Sequence, residues 1–76
     1  MTIYSKSPCK ACVELKLWLK IKGITNYKEV SLDDNIEMLR EKGFWGAPVV
    51  EINGQFINGA IISNVADALR QEIAIA

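Results

Sequence analysis

The sequence has no histidine, two cysteines, two prolines and no surplus of either charge. Without histidine, and without a third or fourth cysteine, one chain cannot assemble the usual tetrahedral shell of nitrogen and sulfur around zinc. Nine basic residues against nine acidic ones give zero formal charge, so no long-range field draws nucleic acid or an anionic membrane toward it. No apolar run approaches the ~20 residues that cross a bilayer. The amino terminus shows no charged-then-apolar leader, which makes the cytoplasm the expected location. Internal repeats, low-complexity tracts and linkers are also missing. With 76 residues, half of them apolar, the expectation is a single domain, 1–76, with a small core. Two cysteines are too few for a secreted scaffold stapled by several bridges, and a bridge closing so short a loop restricts the unfolded chain little.

What is present is Cys9-Lys10-Ala11-Cys12, where a short apolar strand around Thr2 to Tyr4 turns through Ser5 to Pro8 into a helical run. Cysteines at i and i+3 across the first turn of a helix bring their sulfurs close enough for a disulfide. That turn also presents unpaired N–H groups and the positive end of the helix dipole, which favour thiolate over thiol. Cys9, at the helix start, is expected as the exposed, low-pKa nucleophile, and Cys12 as the resolving thiol. Lys6 and Lys10 add positive potential that solvent screens. A lone CxxC can also be half of a zinc site or chemically inert. The strand before it and the helix after it favour redox use.

The remaining pattern is read in order. Apolar residues from Lys10 to Lys22 cover more than one stripe, which predicts a helix lying deep against a sheet and ended by Gly23. Trp18 reads as packing. A second strand is expected over Tyr27 to Ser31. Asp34-Asn35-Ile36-Glu37 has the form of a capping box opening a helix from about Asn35 to Lys42. Pro48 to Ile52, then Asn53-Gly54, then Gln55 to Ile57 is a hairpin signal. Gly59 breaks the last strand, and Ser63 or Asn64 is placed to cap a final helix to about Ile73, burying Val65, Leu69 and Ile73. The order is strand, helix, strand, helix, hairpin, helix. A helical crossover makes the first two strands parallel, so a four-stranded mixed sheet with helices on both faces is the compact solution. Its carboxyl edge receives the cysteines. Pro48 is either a plain strand start, which lacks an N–H for the ladder, or a cis residue beside the cysteines.

Ile3-Tyr4-Ser5-Lys6 leading into Cys9-Lys10-Ala11-Cys12, the proline opening Val49-Val50, and Gly59 after the fourth strand together resemble the thioredoxin superfamily, in its small glutaredoxin-like branch. The resemblance spans nearly the whole chain. It implies a thioredoxin-like α/β fold and puts Pro48 in the cis-proline position. It also implies that Cys9 attacks a partner disulfide and that Cys12 resolves the mixed disulfide. Within the branch, Gly43-Phe44 followed by Ala47-Pro48-Val49-Val50 looks closest to the NrdH-type redoxins. These take electrons from thioredoxin reductase and serve class Ib ribonucleotide reductase in deoxyribonucleotide synthesis. Glutathione-using glutaredoxins instead carry a Gly-Gly pair followed by acids at the last helix. Here Asn58-Gly59 keeps one glycine, and Ile61 and Ile62 occupy the acids' place. Ala60 stands where NrdH-type proteins usually have an aromatic, and Trp45 where they often have a basic residue.

The resulting expectation is a monomeric dithiol electron carrier without cofactor or metal. Its catalytic residues are Cys9 and Cys12. Lys6, Ser7, Pro8, Trp45, Ala47, Pro48, Gly59, Ala60 and Ile61 are expected to form a partner-binding rim, with the backbone at Ala47 offering strand-like hydrogen bonds. Pro48 also shapes the site, and Tyr4 is expected as a buried support at the helix base. Phe44 reads as packing; for Trp45 packing and binding weigh equally. The alternatives are a glutathione-dependent glutaredoxin with broad clients and a non-catalytic module bridging an iron–sulfur cluster across a dimer through Cys9.

Overall fold

The segment Thr-Ile-Tyr-Ser alternates its side chains between two faces and forms the first strand, β1 (Thr2–Ser5). The structure is a computed structural model that describes residues 1–75, with side chains described through Arg70. β1 runs parallel to β2 (Lys28–Ser31) and antiparallel to β3 (Val49–Ile52), which pairs in turn with β4 (Gln55–Asn58). The sheet order is β2-β1-β3-β4. α1 (Lys10–Ile21) crosses from β1 to β2, and a 3-10 turn (Asp33–Asn35) runs into α2 (Ile36–Glu41) before β3. α3 (Ile62–Ile75) follows β4. This is the expected thioredoxin-like arrangement of a four-stranded mixed sheet and three helices.

Register decides which side chains meet which helix. Ile3 stands opposite Val50, and Tyr4 opposite Val49. Ile3, Val50 and Ile52 turn to one face and pack on Leu15 and Leu19 of α1 and Val65 of α3. Tyr4 and Val49 turn to the other and pack with Leu32 and with Leu39 of α2. Helices therefore cover both faces, and a one-residue slip would exchange the two buried sets. Burying each of these aliphatic side chains contributes about 1.5–3 kcal/mol. The hairpin turns as its Asn-Gly pair predicts, with φ of +51° at Asn53 and +81° at Gly54. After α1, the Gly23 N–H reaches Lys20 O at 3.0 Å and the Ile24 N–H reaches Leu19 O at 2.8 Å, the paired bonds of a Schellman cap.

Four expectations are corrected. α1 is not deep: Cys12, Leu15 and Leu19 are buried, whereas Val13, Leu17 and Ile21 are exposed. The sheet receives one stripe of a helix, and among the described residues no further layer lies over the other. The capping box does not form; Asn35 caps α2 without a side-chain bond. Instead the Ser31 Oγ accepts the Asp34 N–H at 3.4 Å, and Asn35 Nδ2 donates to Ser31 O at 2.8 Å, so the strand end itself organises the 3-10 turn. α3 starts at Ile62, which puts Ser63 and Asn64 inside its first turn; the Asn58 Oδ1 accepts the Ala60 N–H at 3.0 Å and shapes the entry. Tyr27 lies outside β2 and packs against the core beneath α1. In α3, Val65 is buried and Leu69 packs beside it, while the side chain of Ile73 lies outside the described residues.

Pro48 and Gly59 lock the end of the sheet to α1. The Gly59 N–H donates to Pro48 O at 2.9 Å. A Cβ on Gly59 would stand 2.9 Å from Val50 Cγ2 and 3.1 Å from both Leu15 Cδ2 and Pro48 Cγ. All three neighbours are buried and have no room to withdraw. Gly59→Ala is expected to cost about 1–3 kcal/mol of stability by overpacking, read as a lowered midpoint in chemical denaturation. An unchanged midpoint would contradict this packing.

Candidate functional site

Cys9 is the N-cap of α1, with extended backbone at φ −154° and ψ 106°. Its Sγ accepts the Cys12 N–H at 3.1 Å, and its C=O accepts the Val13 N–H at 3.2 Å. A cysteine sulfur thus takes the place that serine or aspartate oxygen usually takes at a helix start. Cys9 and Cys12 are joined in a disulfide with Cα atoms 5.3 Å apart. The two sulfurs differ in access: Cys9 is half-buried, whereas Cys12 is 2% exposed. When the bridge is open, the bonded N–H and the helix dipole both favour negative charge on Cys9. No acidic side chain stands in the first turn to oppose it.

The expected rim divides into a surface part and a buried part. Lys6, Ser7 and Pro8 are exposed on the loop leading to Cys9, and Ala60 and Ile61 are exposed at the entry to α3. The peptide bonds Ser7–Pro8 and Ala47–Pro48 are both cis; the second follows the resemblance, and the first had no signal in the sequence. Trp45 is 77% exposed, which decides its reading against packing. Pro48 and Gly59 are buried, so these two expected rim residues lie beneath the surface and not on it. Ala47 is half-buried and precedes the ladder, which starts at Val49.

An open groove of about 360 Å³ brings Trp45, Ala47 and Ala60 together with Phe44 and Asn58, completed by Gly43 and Gly46. Phe44 packs on the α2 side of the sheet and lies 6.5 Å from the Phe56 ring, as its packing reading predicts. Three features were missed. Asn58 was read as a glycine-pair remnant, although Asn before Gly ahead of a helix is itself a signal for an Asx-type turn. Gly43 and Gly46 line the groove because the loop between α2 and β3 folds over, which no local rule announces. Arg40 holds its guanidinium 5.5 Å from the Trp45 ring centroid, a cation–π pair five residues apart that no helical spacing predicts.

Tyr4 supports the strand that carries the site. Its ring is buried and stacks 6.0 Å from Phe56, and its hydroxyl donates to Glu51 Oε1 at 2.9 Å. Burial first, then the bond to Glu51 and its negative charge, push the Tyr4 phenol up from its ordinary 10.0. Among the described residues, no cluster of three or more His, Cys, Asp or Glu side chains could hold a metal ion, and no helix is long and apolar enough to cross a membrane.

A family model for glutaredoxin matches residues 1–57, a span that includes Cys9, Cys12, Trp45, Ala47 and Pro48 but not Gly59, Ala60 or Ile61. Among curated proteins, the glutaredoxin-like protein NrdH of Lactococcus lactis subsp. cremoris is 36% identical over 53 residues, covering 66% of this chain and 72% of the relative. No solved structure matches.

The neutral Tyr4 phenol is the form the fold favours. Its contribution is complete below the ordinary value of 10.0 and is lost as pH rises through the higher folded value. Ultraviolet titration should show a tyrosine step above 10 that disappears in Tyr4→Phe, and that variant should lose about 1 kcal/mol at neutral pH. A Tyr4 step at or below the ordinary value would be the contrary result.

Proposed function

The chain belongs to the glutaredoxin family, and from that premise we propose that it is a dithiol electron carrier that reduces disulfides of client proteins through Cys9 and Cys12. The observation that carries this reading is one half-buried sulfur at a helix N-terminus, bonded to the N–H of a second, buried cysteine. The Cys9 thiolate attacks one sulfur of the client disulfide, forming a mixed disulfide and expelling the other sulfur as a thiolate. Cys12, as its thiolate, then attacks the Cys9 sulfur. The Cys9–Cys12 bridge forms, the bond to the client breaks, and the client leaves with two electrons and, after protonation, two thiols. Both thiols sit in one helical turn, so the second step is intramolecular and outruns external thiols.

The likeness to NrdH-type proteins supports ribonucleotide reductase as the client and thioredoxin reductase as the source of electrons, in a monomeric cytoplasmic protein. Glutathione fits less well. Its ammonium group seeks a carboxylate at the entry to the last helix, and the first turn of α3 has no acidic residue. Ile61, exposed just before that helix, offers an apolar contact in its place.

Cys9→Ser is expected to reduce turnover of insulin or hydroxyethyl disulfide to the uncatalysed rate with the fold intact by circular dichroism; full activity would overturn the assignment of roles. Cys12→Ser should accumulate mixed disulfides visible by mass spectrometry, and a variant that accumulates none rejects the two-thiol cycle. With oxidised wild type, NADPH consumption should be faster through thioredoxin reductase than through glutathione and its reductase. The reverse order would hand the reductant to glutathione.

A further inference from the structure

The outer face of α1 carries more than solvent requires. Val13, Leu17 and Ile21, at i, i+4 and i+8, are 60%, 56% and 73% exposed. They form an apolar stripe on the side of α1 away from Leu15 and Leu19. Beside the stripe lies an open groove of about 460 Å³ between α1 and the segment leading to β2. Val13, Leu17, Ile24 and Tyr27 supply its apolar lining, and among the described residues Lys16 and Lys20 are its only charged lining. Lys16 is engaged with Glu29 at 3.0 Å, which leaves Lys20 as the cation facing outward. Glu14, the one acid of α1, falls by helical spacing on the opposite flank of the stripe. Over residues 1–28, six lysines stand against Glu14 alone, a surplus of five positive charges in a chain that is neutral overall.

We infer that this groove docks a segment of a redox partner protein that presents apolar side chains flanked by carboxylates. The inference rests on the carrier reading above and adds where the partner is held. Charge complementarity selects the occupant, because every charged group lining the groove is cationic. Continuity places it: the Val13 N–H donates to Cys9 O, so the stripe begins one helical turn from the nucleophile and a protein covering Cys9 reaches it. An antiparallel two-fold pairing of the stripe with itself is disfavoured, since it lays the Lys16 and Lys20 flank of one copy against the same flank of the other. A bilayer is disfavoured because the stripe has no aromatic anchor and the lining is concave.

The test uses the reduced protein and three synthetic peptides. One carries a disulfide loop alone, one adds an arm of leucines flanked by glutamates, and one has the same arm with lysines. The glutamate arm is expected to raise the second-order rate of reduction about tenfold over the other two, an effective-concentration gain that falls in about 0.5 M salt. Amide shifts on titration with the glutamate arm should centre on Val13, Leu17, Lys20, Ile24 and Tyr27. In the double variant Leu17→Glu, Lys20→Glu the gain should vanish while hydroxyethyl disulfide is still reduced at the wild-type rate, because both side chains are exposed and outside the redox pair. Equal rates for the two arms, or a gain that survives the double variant, overturns the docking site. A dimer that Leu17→Glu dissolves, or co-sedimentation with phosphatidylglycerol vesicles, assigns the face elsewhere and also overturns it. If the armless peptide is not reduced at all, the carrier reading fails, and the amide titration still decides the docking site.

Discussion

A helix begins with backbone N–H groups that no earlier turn can satisfy, and at α1 a sulfur takes one of them. This bond ties fold and chemistry together, because the group that caps the helix is also the group proposed to react. It requires Cys9 in extended backbone and Cys12 in the first turn, so the chain must change conformation within one residue. Ile3 and Val50 on the sheet and Leu15 and Leu19 on the helix hold that change in place by burying the face of α1 behind Cys12. The asymmetry of the two thiols follows. The cap residue lies half outside the helix and meets solvent, and the residue three later shares the buried stripe.

The same packing accounts for the proline and glycine at the end of the sheet. The Gly59 N–H donates to Pro48 O across the β3–β4 ends, and Gly59 faces Leu15, one turn beyond Cys12, with no room for a Cβ. A side chain on Gly59 would push against the helix that carries the cysteines. Pro48 and Gly59 are both buried where the loop bearing Trp45 and Ala47 enters β3.

Where physics is local, the sequence was legible. A short apolar run marked β1, Asn53-Gly54 marked the hairpin that holds β3 and β4, Gly23 marked the end of α1, and the CxxC spacing marked two cysteines that share one turn and pair in a disulfide. The failures came where one local signal competed with another or with tertiary geometry. Asp34 and Glu37 form a correct capping box on paper, but Ser31 at the end of β2 reached the free N–H of Asp34 first. Gly59 and Pro48 were expected on the rim through the resemblance, and the structure shows both buried, with Val50 and Leu15 packed close to Gly59. Arg40 over Trp45 depends on how one loop folds back over α2, a geometry with no period to read.

The apolar count along α1 was the most instructive error. Six apolar residues between Val13 and Ile21 suggested a helix sunk between layers, yet three helices cannot cover both faces of a four-stranded sheet and also one another. The core takes Cys12, Leu15 and Leu19 and gains little from Val13, Leu17 or Ile21, which keep 60%, 56% and 73% of their surface in water. An aliphatic stripe that contributes little to folding, lies beside a lysine-lined groove and begins one turn from Cys9 is better explained by association than by stability. The fold uses one side of α1 to hold Cys9 still, and the other side remains available to a protein that must arrive there.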